Sequence, residues 1–277
     1  MISIMLPSVV LGALGVVFGL GLAFASKVFE IKEDERIAQI REILPGVNCA
    51  ACGYSGCDGY AAAIARGEAA PTQCPVGGKE LAVQIGGIMG VEVGDMERKV
   101  ARVECGGNEK VCKKIYRYDG IMDCAAAEQL HGGHFACSYG CLGYGNCVRA
   151  CGFGAIFIED GIARVISSKC TACGKCAKVC PKKLIELIPV ESLYTVRCDN
   201  KDKGSDVRKV CSVGCIGCGR CVKVCAYGAI ELDGHIAHID PCKCANCGEC
   251  VKVCTPNSIG YFDCAIAKAG AQMALKG

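Results

Sequence analysis

Residues 4–25, IMLPSVVLGALGVVFGLGLAFA, carry no charge. At about 1.5 Å of rise per residue such a run crosses a bilayer core as one helix, so residues 1–26 are expected to form a single N-terminal transmembrane helix. Gly15 and Gly19 make a GxxxG pair on which another helix could close. A secretory signal would also account for Ala23-Phe24-Ala25, but no basic segment precedes the run. Lys27, Lys32 and Arg36 follow it, which places the C-terminal side in the cytoplasm. Residues 27–44 then set Ile37, Ile40, Ile43 and Leu44 at helical spacing among charges and predict a helical stalk ending before Pro45.

Beyond Pro45 the apolar segments are short. Residues 45–103 hold helical stretches at 58–70 and 79–89 followed by a polar linker, and residues 104–136 are a connector. Two segments, GAIFIEDGIARVISSKC and GAIELDGHIAHIDPCKC, read as strand–turn–strand, with Asp-Gly turns at 160–161 and 233–234. They belong to a repeat: residues 137–156 match 211–230 without a gap at a period of 74 residues. Residues 137–195 and 196–277 are therefore two copies of one module. The expected fold class is α+β, with a membrane helix, a small α-helical domain and two tandem modules.

Composition changes what holds these pieces together. The chain has 27 Cys, 37 Gly and four His, with no Trp, too few large side chains to fill one large core. In each module the cysteines fall as CxxCxxCxxxC. Cys215, Cys218, Cys221 and Cys225 form one run and Cys244, Cys247, Cys250 and Cys254 the next; Cys170, Cys173, Cys176 and Cys180 form a third. This is the ligand pattern of bacterial two-cluster ferredoxins, in which the fourth cysteine of each run serves the other cluster. Zinc sites use paired CxxC knuckles with four ligands per ion, and a disulfide scaffold suits a short secreted chain. Neither fits these runs, and an apo form that is largely unfolded is expected.

Crossed ligation gives the expected sets: Cys170, Cys173 and Cys176 with Cys151; Cys215, Cys218 and Cys221 with Cys254; Cys244, Cys247 and Cys250 with Cys225. In the first copy Tyr144 stands where the second has Cys218. Cys141, Cys147 and Cys180 then need a substitute, with Cys137 the nearest candidate and Cys124 the next. Upstream, Cys49, Cys52, Cys57 and Cys74 suit one further cluster, giving five [4Fe-4S] clusters; their spacing is less diagnostic than the tandem runs, and a zinc site is the alternative there. A sixth involving Cys105, Cys112 and Cys124, with Cys137, is conceivable; the alternative is free, buried thiols. Cys198, Cys211, Cys242 and Cys264 stay without a role. His131 and His134, in an HGGH loop, make a weak metal pair, and His235 and His238 are expected to face solvent from a hairpin strand.

No Ser/His/Asp set, phosphate loop or dinucleotide fingerprint occurs, so no catalytic residue is assigned. Clusters with four thiolates carry single electrons, and five on one chain read as a wire. From residue 160 onward Lys and Arg outnumber Asp and Glu. Lys175, Lys178, Lys182, Lys183, Arg220, Lys223 and Lys252 would make either a docking face for an acidic ferredoxin or a surface balancing the charge of about −2 on each oxidised cluster. Aromatic residues are not interleaved with them, which excludes nucleic acid as a partner.

The membrane helix, the unit LPGVNCAACGYSGC…CP and the tandem modules, taken together, resemble the B subunit of the Rnf complex over essentially the whole chain. The LPGVNCAACGYSGC unit is also similar to one in corrinoid iron–sulfur proteins. The resemblance implies a component of an ion-translocating ferredoxin:NAD⁺ oxidoreductase in the cell (inner) membrane, single-pass, with its iron–sulfur domains on the cytoplasmic side. It implies electron acceptance from reduced ferredoxin and transfer to flavin- and iron–sulfur-bearing subunits. The second module and the cysteines at 105, 112 and 124 exceed the shorter family form. A related complex that reduces a redox-sensing regulator, or a scaffold with structural clusters, is the alternative.

Overall fold

The computed structural model describes residues 2–28 and 34–261, with side chains on the first helix from Gly12 to Ser26. Residues 29–33 of the expected stalk, Cys264 and the rest of the tail lie outside the described residues. Helix α1, Ile2–Val28, carries the uncharged run. Its large apolar side chains from Leu14 to Phe24 are 49–73% exposed. Among the described residues no helix is long and apolar enough to cross a membrane.

Three helices build the first compact unit. Helix α2, Glu35–Ile43, starts at Asp34, whose carboxylate accepts from the Arg36 amide at 3.0 Å. Helix α3 is Cys57–Ala65 and helix α4 is Gly78–Met89, which ends on Gly90 in the left-handed region. Ile40, Tyr60, Ile64, Leu81 and Ile85 close the core between them. The end of the expected stalk is therefore part of this unit: Ile40 is fully buried, because the stripe it shares with Leu44 needs an apolar partner. Tyr60 is buried with its hydroxyl donating to the Ala70 carbonyl at 2.8 Å and accepting from the Gln73 amide at 3.2 Å. Burial pushes its pKa up to about 12.

The rest of the described chain is two copies of a small α+β unit. In the first, strand β1 (Lys99–Val103) pairs antiparallel with β4 (Ile185–Pro189), in register from Lys99↔Pro189 to Val103↔Ile185. Between them lie helices α5 (Cys124–Glu128) and α6 (Asn146–Ala150), the hairpin β2 (Ile156–Glu159) and β3 (Ile162–Val165), and helix α7 (Lys175–Val179). The second copy pairs β5 (Tyr194–Val196) with β8 (Ile259–Tyr261) and encloses α8 (Gly204–Val210), α9 (Arg220–Val224), β6 (Ile230–Asp233), β7 (Ile236–Ile239) and α10 (Glu249–Val253). From sequence, residues 99–103 were expected in the linker of the small domain. The structure pairs them instead with the far end of the first module, so the connector that follows is inserted within that module's fold.

The two hairpins turn differently. In the first, Asp160 and Gly161 are the loop and both have positive φ, 48° and 79°, the conformation for which Asp-Gly is suited. In the second, register places Asp233 opposite Ile236, so the loop is Gly234-His235, with φ of 57° at Gly234. The repeat keeps strand register and lets the turn residues slide by one. His235 thus sits in the turn rather than on a strand; it and His238 are both exposed.

Candidate iron–sulfur centres

Four times the chain repeats one local device. Gly145, Gly174, Gly219 and Gly248 hold φ between 69° and 78° at the start of a five-residue helix. That left-handed entry costs a residue with a Cβ more than it costs glycine. One residue into each helix stands a buried cysteine: Cys147, Cys176, Cys221 and Cys250. At the C-terminal end the backbone turns extended at Cys151, Cys180, Cys225 and Cys254. Upstream of two of these entries the loop touches the hairpin. A Cβ on Gly143 would lie 2.3 Å from the Gly161 carbonyl oxygen, and one on Gly217 2.6 Å from that of His235.

The thiols then gather across the module, not along the run. Cys151, Cys170, Cys173 and Cys176 line one cavity, and Cys215, Cys218, Cys221 and Cys254 line another. Cys250 lies within electrostatic range of Cys244, Cys221 and Cys247, and Cys225 packs in the same core. Within the first module Cys147 similarly feels Cys176. In the small domain Cys74 is in range of Cys49 and Cys52, and Cys57 packs on the same core, its amide donating to Asn48 Oδ1 at 2.8 Å.

The remaining first-module set contains Cys141, Cys147, Cys180 and Cys124, which line one cavity. Cys137, the first candidate for the fourth position, is elsewhere. Three residues bring Cys124 in. Asp123 caps α5 by accepting from the amides of Ala125 and Ala126. Asn146 at the start of α6 accepts from the Cys124 amide at 2.9 Å and donates to Asp123 Oδ2 at 2.7 Å. Arg149 reaches both Asn146 and Asp123, at 2.7 and 3.3 Å. Tyr144, at the position of the missing ligand, does not line that cavity; its hydroxyl meets His134 Nδ1 at 3.0 Å and its ring lies against Tyr118. His134 is buried against Phe135 while His131 is exposed, so the HGGH loop does not act as a paired donor.

A further group of buried thiols, Cys105, Cys112, Cys137 and Cys211, lines a cavity that Cys198 also borders. Cys242 is exposed and joins none of these sets.

The donor sets fit iron–sulfur clusters. Several cavities are each lined by four thiols, and a cubane takes one thiolate per iron. Backbone amides are aimed at sulfur, from Ala101 to Cys170 at 3.3 Å and from Ala155 to Cys151 at 3.4 Å, as they are around cluster ligands. Burial, and after it the neighbouring thiols, pushes Cys147 up to about 12 and Cys250 up to about 11. Such groups ionise once a cation sits among them. At the surface Lys178, Lys183, Arg220 and Lys223 are exposed. Lys182 is not part of that face, since its side chain is only 8% exposed and lies 3.6 Å from Glu128.

Comparison with known families places these sites in context. Residues 44–76 match the family described as "Putative Fe-S cluster", residues 163–186 a 4Fe-4S binding domain and residues 214–258 a 4Fe-4S dicluster domain. Among curated proteins the chain is 47% identical over 239 residues to the B subunit of the Na(+)-translocating ferredoxin:NAD(+) oxidoreductase complex of Acetobacterium woodii, covering 86% of this chain and 72% of the relative. It is 42% identical over 245 residues to the B subunit of the ion-translocating oxidoreductase complex of Methanosarcina acetivorans, covering 88% and 93%. It is 39% identical over 240 residues to the B subunit of the proton-translocating ferredoxin:NAD(+) oxidoreductase complex of Clostridium ljungdahlii, covering 86% and 84%. With clustered thiols on ferredoxin-type modules and this likeness over most of its length, the chain belongs to the B-subunit family of ion-translocating ferredoxin:NAD⁺ oxidoreductase (Rnf) complexes.

Proposed function

We propose that this protein receives electrons from reduced ferredoxin and relays them, through five [4Fe-4S] clusters, to the flavin- and iron–sulfur-bearing subunits of its complex. The ligands would be Cys49, Cys52, Cys57 and Cys74; Cys124, Cys141, Cys147 and Cys180; Cys151, Cys170, Cys173 and Cys176; Cys215, Cys218, Cys221 and Cys254; and Cys225, Cys244, Cys247 and Cys250. When bound, each cluster carries one electron at a time. The observation that carries the relay reading is the closeness of neighbouring sets: Cys147 and Cys176 share one buried core, and Cys221 and Cys250 share another. The chain's own residues bury these thiols wholly or in part, Cys218 and Cys247 excepted, and aim amides at sulfur. The second module opens outward at Cys218 and Cys247, both exposed, so exchange with a soluble carrier is favoured there. Helix α1 holds the assembly to the cell membrane through residues 4–25, whose exposed apolar side chains from Leu14 to Phe24 suit lipid or a partner helix, with the iron–sulfur domains on the cytoplasmic side.

The test mixes the detergent-solubilised, cluster-loaded chain with reduced ferredoxin and counts reduced clusters by EPR. Rapid uptake supports the relay; a full iron load with no uptake overturns it. Reversing the charges at Lys178, Lys183, Arg220 and Lys223 is expected to slow ferredoxin oxidation about tenfold or more at low ionic strength and much less at high salt. A salt-independent loss would remove steering from the account.

A further inference from the structure

We propose that Cys105, Cys112, Cys137 and Cys211 form a sixth four-thiol iron–sulfur centre, lying between the two ferredoxin modules. All four are buried, at 7, 6, 9 and 9% exposure. They come from four separate places: the residues after β1, the connector, the loop before the first module's cysteine run, and the end of α8. Backbone hydrogen bonds stitch these together. Lys113 donates to the Val210 carbonyl at 3.0 Å, Ser212 to Val111 at 3.0 Å, Gly106 to Arg197 at 2.8 Å and Ala136 to Lys113 at 2.7 Å. Cys112 and Cys211 face one another across an antiparallel bridge.

The thiols converge where the backbone has been kept bare. A Cβ on Gly107 would lie 3.2 Å from Cys211 Sγ, 3.7 Å from Cys112 Cβ and 3.8 Å from Cys105 Sγ. Two donors point at sulfur: the Cys141 amide at Cys105, 3.4 Å, and the Asn200 side chain at Cys137, 3.4 Å. Asn200 is 1% exposed, and a buried amide aimed at sulfur suits a thiolate better than a neutral core. The sequence alone suggested Cys105, Cys112, Cys124 and Cys137 for such a site. With Cys124 committed beside Cys147, Cys211 of the second module completes the four instead. Cys198 borders the cavity, but it is less buried than the four and packs against the second-module core that holds Cys215, so it is left outside the set.

The position gives the centre a role that rests on the relay reading. One side reaches Cys141 of the first module, and the other touches the second module through Cys211 and, past Cys198, Cys215. An electron carrier here would join the two modules into one path.

The test measures iron and acid-labile sulfide in the full chain, purified without oxygen in detergent. Cys112→Ser and Cys211→Ser are each expected to lose about four irons relative to wild type, whereas Cys198→Ser and Cys242→Ser lose none. Cys176→Ser is the control for the relay reading. If it loses four irons while Cys112→Ser keeps all of them, the sixth centre is overturned and the modules stand; if neither loses iron, the relay reading fails as well. Should the serine variants not fold, alkylation of wild type decides: Cys105, Cys112, Cys137 and Cys211 should react only after iron is removed. Labelling before removal, or a Cys112–Cys211 disulfide in non-reduced peptide maps, would overturn the proposal.

Discussion

Stripping iron with a chelator under reducing conditions should unfold residues 99–261 while leaving much of the helix between residues 35 and 89 in place. The two regions differ in what fills their cores. In the second module the buried set of nine includes Cys215, Cys221 and Cys250, and Cys198, Cys225, Cys244 and Cys254 pack against it. The first module is built the same way around Cys147 and Cys176. Its helices are five residues long, far below the length at which a helix holds itself together in water. Structural metal sites contribute about 10–16 kcal/mol where measured on zinc peptides, as much as the roughly 5–15 kcal/mol that holds a typical domain. The small N-terminal domain also buries Cys74, with Cys52 and Cys57 packed against it, but most of its core is Ile40, Tyr60, Ile64, Leu81 and Ile85 between longer helices. Far-UV circular dichroism with segment-resolved hydrogen exchange would check this. Protection retained in both modules after chelation would contradict it.

Cys124→Ser should remove about four irons from the first module, and adding Tyr144→Cys should restore them. The single Tyr144→Cys variant should leave the iron count unchanged, because the set already has four thiols. The rescue follows from the repeat: Tyr144 occupies the position of Cys218, on the same loop, between Gly143 and Gly145. In the wild type its side chain is held by His134 and Tyr118, and a cysteine would have no such tether. Asn146→Ala should weaken iron retention partially, since it loosens Cys124 without removing a thiol. Iron analysis and EPR of the double variant decide the matter. A double variant as depleted as Cys124→Ser would mean that the first-module loop no longer points into the set.

The ferredoxin runs were legible because cluster ligation is encoded in spacing over ten or so residues. Glycine at each helix entry and cysteine at each exit are local rules, and the hairpins announced themselves by Asp-Gly. What sequence reasoning missed depends on groups far apart in the chain. Cys124 and Cys137 both lie within reach by distance along the chain; it is Cys124 that lines the cavity with Cys147, its amide held by Asn146, 22 residues away. Asp123 ahead of an alanine-rich turn was the available sign, since it marks a helix start. The pairing of Val100 and Ala101 with Ile188 and Leu187 joins segments separated by most of a module, and nothing in either strand names its partner. The turn at Gly234-His235 was misplaced because identical dipeptides in aligned repeats suggested identical turns, whereas register was set by the buried faces of Ile230, Ile236 and Ile239.

The openness of the second module at Cys218 and Cys247 should also set the order in which the protein fails in air. Dioxygen reaches iron most readily where a ligating sulfur meets solvent, and a thiolate released there can climb the sulfenic, sulfinic and sulfonic series. The corrosion should begin at those two sites and spread inward, reaching the sets around Cys147 and Cys176 last. A preparation browned but partly bleached would then be a chain whose outermost contacts have gone dead while its interior still holds charge.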